Sequence, residues 1–162
     1  MIYEVEGDIM LTRAVAIAHG VATHDPMNRG MARKLHDRFP AMVEAYNEWC
    51  QETNPEPGEI WQWGDPDKLL IINMITHKGD AEDIRPGRPQ KIAVNRSFRA
   101  LNKLVVDERI KSVSMPKIGT GVGGLDWHEV RGMMDSQLGE LLIPLFIYVL
   151  ELDGQVASEP GM

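Results

Sequence analysis

The stretch Met115-Pro116-Lys117-Ile118-Gly119-Thr120-Gly121-Val122-Gly123-Gly124-Leu125-Asp126-Trp127 decides how this chain is expected to fold. It places four glycines within six positions, after a short apolar run typical of a strand and before a segment with helical periodicity. Glycine permits positive φ and a close approach to the backbone, so successive N–H groups can converge on a phosphate. The stretch lacks the Gly-Lys-Ser/Thr ending of a Walker loop. It therefore predicts a diphosphate-binding loop, and the alternative is a turn that merely tolerates glycine.

Strands and helices alternate on both sides of this loop. The patterns predict strands at residues 2–5, 14–19, 59–63, 68–76, 112–115 and 145–152, with the third and fourth joined as a hairpin. Helices are predicted from residue 30, with a break at Pro40, and at residues 90–107 and 127–138. This order predicts an α/β fold with a mixed sheet covered by helices on both faces, whose ligands bind at the carboxyl ends of the strands.

Composition limits the classes of function. The 162 residues fit one domain, predicted to span residues 1–153 with a frayed tail from 154 to 162. The net charge of −7 argues against broad nonspecific nucleic-acid binding, although a local basic patch remains an alternative to solvated helix faces. The lone Cys50 excludes an internal disulfide, and a secretory signal and an apolar run near eighteen residues are absent. We expect a cytoplasmic monomer without a membrane segment, metal or cofactor.

Two further segments follow predicted strands and fit a nucleotide site. Met27-Asn28-Arg29-Gly30-Met31-Ala32 lies at a strand-to-helix junction, where a helix N-terminus is available to an anion. Gly7-Asp8-Ile9 follows the first strand, and Asp8 suits either a cap or a hydrogen bond from an adenine amino group. His19, at the end of the second strand, is interpreted as buried structure. Two phosphate loops at one end of a small sheet favour a nucleotide-diphosphate site.

These segments, in this order and spacing, resemble the macrodomains, which bind ADP-ribose. The resemblance covers nearly the whole chain and is strongest to the branch that contains terminal ADP-ribose protein glycohydrolase and the DarG-type antitoxin, which removes ADP-ribose from thymidine in DNA. The string from Pro116 to Trp127 is particularly similar to DarG. The resemblance implies a three-layer α/β/α fold around a mixed, mostly parallel sheet of about six strands.

The resemblance also implies a role for each matching position. Asp8 would bind adenine with Ile9 beside it, the loop at Gly30 would contact the diphosphate and the distal ribose, and the loop from Gly119 would wrap the phosphates. Asn28 replaces a glycine common in the first loop. The implied ligand-binding set is Asp8, Ile9, His19, Asn28, Gly30, Met31, Ala32, Pro116, Lys117, Ile118, Gly119, Thr120, Gly121, Val122, Gly123, Gly124 and Leu125.

The catalytic position departs from the family pattern. Family members usually carry a lysine directly after the threonine that ends a strand, whereas this chain has Thr76-His77-Lys78, so either His77 or Lys78 could face the ligand. Relatives that use a catalytic aspartate have it where this chain has Gly123, and Asp126 is interpreted as a helix N-cap. A lysine can act as a nucleophile or, protonated, assist a leaving group, and histidine is the reserve acid or base.

Three functions follow from the resemblance. The favoured one is an ADP-ribosyl glycohydrolase that acts on DNA modified at thymidine or on protein modified at glutamate or aspartate. The alternatives are a noncatalytic ADP-ribose reader and a phosphatase of ADP-ribose-1″-phosphate. The expected partners are ADP-ribose or an ADP-ribosylated substrate, including short single-stranded DNA, which needs few basic contacts.

Overall fold

A computed structural model describes residues 1–65, 67–79, 87–121 and 124–162 of the chain. Its strands are β1 (Ile2–Gly7), β2 (Ala16–Ala22), β3 (Ile60–Asp65), β4 (Leu69–His77), β5 (Val113–Pro116) and β6 (Leu145–Glu151). Its helices are α1 (Gly30–Arg38), α2 (Pro40–Thr53), α3 (Lys91–Asp107) and α4 (Trp127–Leu138), and a single 3-10 turn spans Ile9–Leu11. None of the helices in these ranges has the length and apolar character needed to span a bilayer.

The strands form one mixed sheet in the order β1-β6-β5-β2-β4-β3. Neighbours are parallel from β1 to β4, and β3 joins the edge of β4 as the antiparallel arm of a hairpin. Parallel neighbours need crossover connections, which the helices supply. The predicted α/β class, with a mixed and mostly parallel sheet of six strands, is confirmed.

The apolar residues of the central strands are divided between two cores, one on each face of the sheet. In β2, Ala16 and Ala18 pack toward α3 and α4, whereas Ile17 and Val21 pack toward α1 and α2. Both faces of this strand are buried because helices cover both, so its sequence is continuously apolar. The three-layer α/β/α arrangement that the resemblance implied is therefore the one observed.

Local signals set most of the element boundaries. Pro40 is the first residue of α2, where its missing N–H costs no helical hydrogen bond, so the predicted break at this proline separates α1 from α2. Asp126 caps α4 by accepting a hydrogen bond from the Glu129 N–H, in agreement with its interpretation as an N-cap. The second strand differs from the prediction of residues 14–19, because β2 begins at Ala16 and continues to Ala22.

The C-terminal segment, predicted to fray from residue 154, is packed against the domain instead. The Asp8 N–H donates to the Gln155 carbonyl oxygen at 2.7 Å, and Ala157 lies so close to Gly7 that a Cβ there would come within 2.8 Å of it. Glu159 is only 4% exposed. Frayed tails lack buried partners, and this one has them, which the composition of the segment did not indicate.

Glu159 is a buried carboxylate surrounded by donors. It accepts hydrogen bonds from the Tyr148 hydroxyl at 3.0 Å, the Ser114 hydroxyl at 3.1 Å and the Arg13 N–H at 2.8 Å, and it also contacts the Thr12 hydroxyl. Burial of a charge is tolerated when donors replace water in this way. The tail is therefore attached to β5, β6 and the loop before β2 through one side chain.

We expect Glu159→Ala to lower the free energy of unfolding by about 2–4 kcal/mol, because it leaves buried hydroxyl groups without an acceptor. Urea denaturation monitored by tryptophan fluorescence measures the change. Glu140→Ala, at an exposed glutamate, is the matched control and should change stability by less than about 0.5 kcal/mol. Equal stability of the two variants would contradict the structural role of Glu159.

Candidate functional site

The parallel register brings the carboxyl ends of five strands to one edge of the sheet. Gly7 pairs with Glu151, Ala22 pairs with His77, and Pro116 pairs with Tyr148. The loops that follow β2, β4 and β5 therefore meet above the sheet. They enclose a cleft of about 230 Å³ that is lined by His19, Gly20, Arg29, Met31, Ala32, Thr76, His77, Pro89, Pro116, Lys117, Ile118, Gly119 and Gly121.

The glycine-rich loop after β5 is held in shape by its own backbone. The Leu125 N–H donates to the Gly119 carbonyl oxygen and the Gly124 N–H donates to the Gly121 carbonyl oxygen, both at 2.7 Å. Gly119 has a φ of +74°, and a Cβ at Gly124 would lie 2.4 Å from the Gly119 oxygen. Glycine is therefore required at both positions by backbone geometry. Val122 and Gly123 lie outside the described residues.

The loop after β2 is fixed by the carboxylate of Asp25. Its two oxygens accept from the Ala22 N–H at 2.9 Å and the Met27 N–H at 2.8 Å. Met27 has a φ of +51° and a fully buried side chain, so the loop holds a bulky residue in a strained conformation. Gly30, at a φ of +55°, then opens α1 with its N-terminus at the cleft. Asp25 was not among the site residues expected from the sequence, although aspartate before proline is a common turn signal.

His77 is one of the described residues that line the cleft, and its neighbour Lys78 is not. The Thr76 hydroxyl donates to the Val21 carbonyl oxygen at 3.3 Å, and its oxygen lies 2.8 Å from Nδ1 of His77. Either atom can donate in this pair, and the arrangement in which His77 donates from Nδ1 leaves a lone pair on Nε2. Burial lowers the pKa of His77, although the Asp25 carboxylate opposes the effect, so burial favours the neutral ring.

The Lys78 ammonium pairs with the Glu56 carboxylate at 3.6 Å, and 72% of its side chain is exposed. Lys78 is not among the described residues that line the cleft. Of the two positions that the sequence left open, the structure thus brings His77 to the described part of the cleft.

His19 lines the cleft and is hydrogen-bonded to Asn73 of β4. Its Nε2 lies 2.6 Å from Oδ1 of Asn73, and both residues are at most 2% exposed. Burial lowers the pKa of His19 to about 4, against the opposing effects of the Asn73 hydrogen bond and the Asp25 charge. The expected buried position is confirmed, and the residue also contacts the cleft.

Asp8 caps the 3-10 turn after β1. Its carboxylate accepts from the Met10 N–H and the Gly154 N–H, each at 2.9 Å. Burial would raise the pKa of Asp8, but these two hydrogen bonds and the Lys34 charge lower it. Asp8, Glu151 and Asp153 offer oxygens within 4.8 Å of one another, and the Lys34 ammonium supplies positive charge there through its ion pairs with Glu151 and Asp153.

The predicted ligand-binding set divides between the cleft and its surroundings. Ile9 is fully buried, and its side chain is part of the core that contacts α1 and α2. The predicted positions in the cleft are His19, Met31, Ala32, His77, Pro116, Lys117, Ile118, Gly119 and Gly121; those outside its described lining are Asp8, Ile9, Asn28, Gly30, Lys78, Thr120, Gly124 and Leu125. The structure adds Gly20, Arg29, Thr76 and Pro89, which sequence analysis did not select.

Comparison with known proteins identifies the family. The Macro domain family model matches residues 18–134, and the chain belongs to that family. The macrodomain of Thermus aquaticus DarG superposes with a TM-score of 0.82 at 25% identity, over 92% of this chain and 98% of that structure. The macrodomain of Mycobacterium tuberculosis DarG superposes with a TM-score of 0.81 at 26% identity, over 91% of this chain and 97% of that structure.

Curated relatives carry names of enzymes. A Mycobacterium tuberculosis protein named DNA ADP-ribosyl glycohydrolase is 28% identical over 83% of this chain and 38% of its own length. A Thermosipho africanus protein named DNA ADP-ribosyl transferase-DNA ADP-ribosyl glycohydrolase fusion protein is 26% identical over 90% of this chain and 41% of its own length. This chain thus spans about two fifths of the length of these relatives.

We expect Asp25→Ala to loosen the loop after β2, because two backbone N–H groups lose their acceptor. Each lost hydrogen bond contributes about 1 kcal/mol, so the free energy of unfolding should fall by about 1–3 kcal/mol and the affinity for ADP-ribose should fall with it. Thermal unfolding and calorimetric titration measure the two effects. Asp37→Ala, at an exposed aspartate of α1, is the control. Equal losses of stability and affinity in the two variants would contradict the role of Asp25 in holding the loop.

His19 should make the stability depend on pH. Its pKa is about 4 in the folded protein and about 6.5 when unfolded, so the unfolded state binds the additional proton between these values. The His19 contribution is fully present above pH 6.5 and is lost as the pH falls toward 4, by about 3 kcal/mol in total. Urea denaturation of the parent and of His19→Phe across this pH range measures the free energy of unfolding of each. The difference between the two free energies should change with pH, and a difference that stays constant would contradict the prediction.

Proposed function

We propose that this chain is an ADP-ribosyl glycohydrolase that binds ADP-ribose in the cleft and cleaves it from a modified macromolecule. The observation that carries the proposal is the position of the His77 imidazole, whose pKa is lowered by burial, in a cleft that the loop after β2 and the glycine-rich loop after β5 border. Membership of the Macro domain family and the names of the relatives support ADP-ribose as the ligand and hydrolysis as the reaction.

The two loops supply the groups that would hold the diphosphate. The N-terminus of α1 and the backbone around Gly119 and Gly121 border the cleft, and Arg29 and Lys117 add positive charge to its walls. Backbone N–H groups and helix N-termini favour anions without any side-chain rearrangement. The cleft is smaller than the roughly 300–1,000 Å³ of sites for whole ligands, so the adenosine end would extend beyond it.

Fixed binding of the diphosphate would direct the terminal ribose toward His77. Water attacks the anomeric carbon as the bond to the acceptor breaks, through a transition state with oxocarbenium character. His77 accepts one proton of that water at Nε2. The departing acceptor keeps the electron pair of the broken bond and takes up this proton from His77, directly or through solvent, which returns the imidazole to its neutral form. The products are ADP-ribose and the unmodified acceptor. The hydrogen bond between His77 and Thr76 orients the ring for this step.

The favoured acceptor is thymidine in DNA, with glutamate or aspartate in protein as the alternative. The DNA-linked names of the relatives support the first choice. The chain carries a net charge of −7, so long contacts with duplex DNA are unfavourable. A short single strand needs few phosphate contacts, and Arg29 and Lys117 supply positive charge where the modified nucleotide would enter.

We expect His77→Ala to lower the turnover of ADP-ribosylated single-stranded DNA by about 10²–10⁴-fold while ADP-ribose still binds, since general-base catalysis contributes that much. Lys78→Ala should lower it by less than about tenfold, because the Lys78 side chain is exposed and paired with Glu56. Mass spectrometry of the products, with DNA modified on thymidine and protein modified on glutamate in parallel, measures the release of ADP-ribose.

Lys103→Ala, which removes another exposed and paired lysine, is the matched control. Turnover of the parent should also fall as the pH drops through the lowered pKa of His77, because the base must be unprotonated. If Lys78→Ala abolishes turnover and His77→Ala does not, Lys78 and not His77 is the catalytic residue. Binding of ADP-ribose without release from either substrate would favour the reader, and release of inorganic phosphate from ADP-ribose-1″-phosphate would favour the phosphatase.

A further inference from the structure

His19 and Asn73 form a polar pair within an otherwise apolar layer. Their side chains lie on the face of β2 and β4 that packs toward α1 and α2, between Ile17 and Ile75. Burial of two polar side chains costs free energy even when they are hydrogen-bonded to each other, and an apolar pair of the same volume would pack there at lower cost. A buried polar pair whose histidine also lines a cleft is a candidate for a functional role.

The hydrogen bonds of Asn73 fix the proton on His19. The Asn73 Nδ2 donates to the Met42 sulfur at 3.6 Å, and a thioether sulfur can only accept, so the amide oxygen is the atom that faces His19. An amide oxygen also only accepts. The proton of the neutral imidazole therefore lies on Nε2, and Nδ1 carries a lone pair.

The second ring nitrogen of His19, Nδ1, has no hydrogen-bond partner among the described residues. Among the described residues, every fully buried side-chain nitrogen or oxygen has a hydrogen-bond partner. No hydrogen bond to His19 Nδ1 is found within those ranges, so this atom keeps some accessible surface, and His19 is one of the residues that line the cleft. Burial keeps the ring neutral well below pH 7, so Nδ1 remains an acceptor across the physiological range.

We propose that His19 Nδ1 accepts a hydrogen bond from a hydroxyl of the terminal ribose, and that Asn73 is the positioning residue that keeps this nitrogen unprotonated. The inference rests on the proposed function, because it takes ADP-ribose as the ligand. Ribose hydroxyls donate hydrogen bonds, whereas phosphate oxygens at neutral pH only accept them. The other residues that line the cleft provide N–H donors and cations, which suit phosphate. The lone pair of His19 is an acceptor, so it suits a ribose hydroxyl and not a phosphate oxygen.

Nuclear magnetic resonance of the imidazole nitrogens tests both parts of the inference in the intact chain. Long-range proton–nitrogen correlation of the parent protein near pH 7 should show His19 protonated at Nε2 only. Saturating ADP-ribose should shift the Nδ1 resonance toward the position of a hydrogen-bonded acceptor. ADP, which lacks the terminal ribose, should bind without that shift. A proton on Nδ1 in the free protein, or an Nδ1 resonance that does not move while ADP-ribose binds, overturns the inference.

Two variants separate this role from general packing. Asn73→Leu should allow a mixture of His19 tautomers and weaken ADP-ribose about two- to tenfold, the equivalent of one hydrogen bond, with ADP affinity unchanged. Ser97→Ala is the matched control, because Ser97 is fully buried on the opposite face of the sheet, where its hydroxyl donates to the Val94 carbonyl oxygen. Equal losses for ADP and ADP-ribose in Asn73→Leu would overturn the proposed ribose contact.

The same measurements distinguish failure of the proposed function from failure of the His19 contact. If the parent protein binds neither ADP-ribose nor ADP, the proposed function fails, and the ribose contact fails with it. If ADP-ribose binds and is released from a substrate while the His19 resonances stay fixed, the proposed function stands and this inference alone is overturned.

Discussion

The parallel hydrogen bonding of β1, β6, β5, β2 and β4 is the constraint on which the site depends. Parallel strands end at a common edge, so the residues that follow them are close in space although they are far apart in the chain. His77 and Gly119 line the same cleft for this reason, from the strands on either side of β2, and no local preference of either segment would place them there.

Two groups of buried polar side chains interrupt the otherwise apolar cores of this domain. His19 and Asn73 bond to each other beneath the cleft, and Glu159 bonds to hydroxyls of Ser114 and Tyr148 at the attachment of the C-terminal segment. Each of these side chains has at least one hydrogen-bond partner whose position restricts its orientation. Such pairs contribute specificity of arrangement more than net stability, because their desolvation offsets much of their hydrogen-bond energy.

Much of the fold was predictable because its signals are local. The apolar runs, the break at Pro40, the cap at Asp126 and the glycine-rich loop each act within a few residues, and they predicted the elements to within a few positions. The candidate site was predictable only in part. Asp25 was missed because its importance lies in the two N–H groups that the turn presents to it, and the chain pattern shows neither.

The sequence alone determined the class of fold, the order of its elements and the two loops that border the cleft, since periodicity and glycine content are properties of short segments. The tertiary structure decided that His77, and not Lys78, is among the described residues that line the cleft. His77 pairs in register with Ala22 at the end of β4, whereas Lys78 follows the strand and reaches Glu56. It also decided that the tail is anchored, because the donors for Glu159 come from strands and loops that only folding brings together.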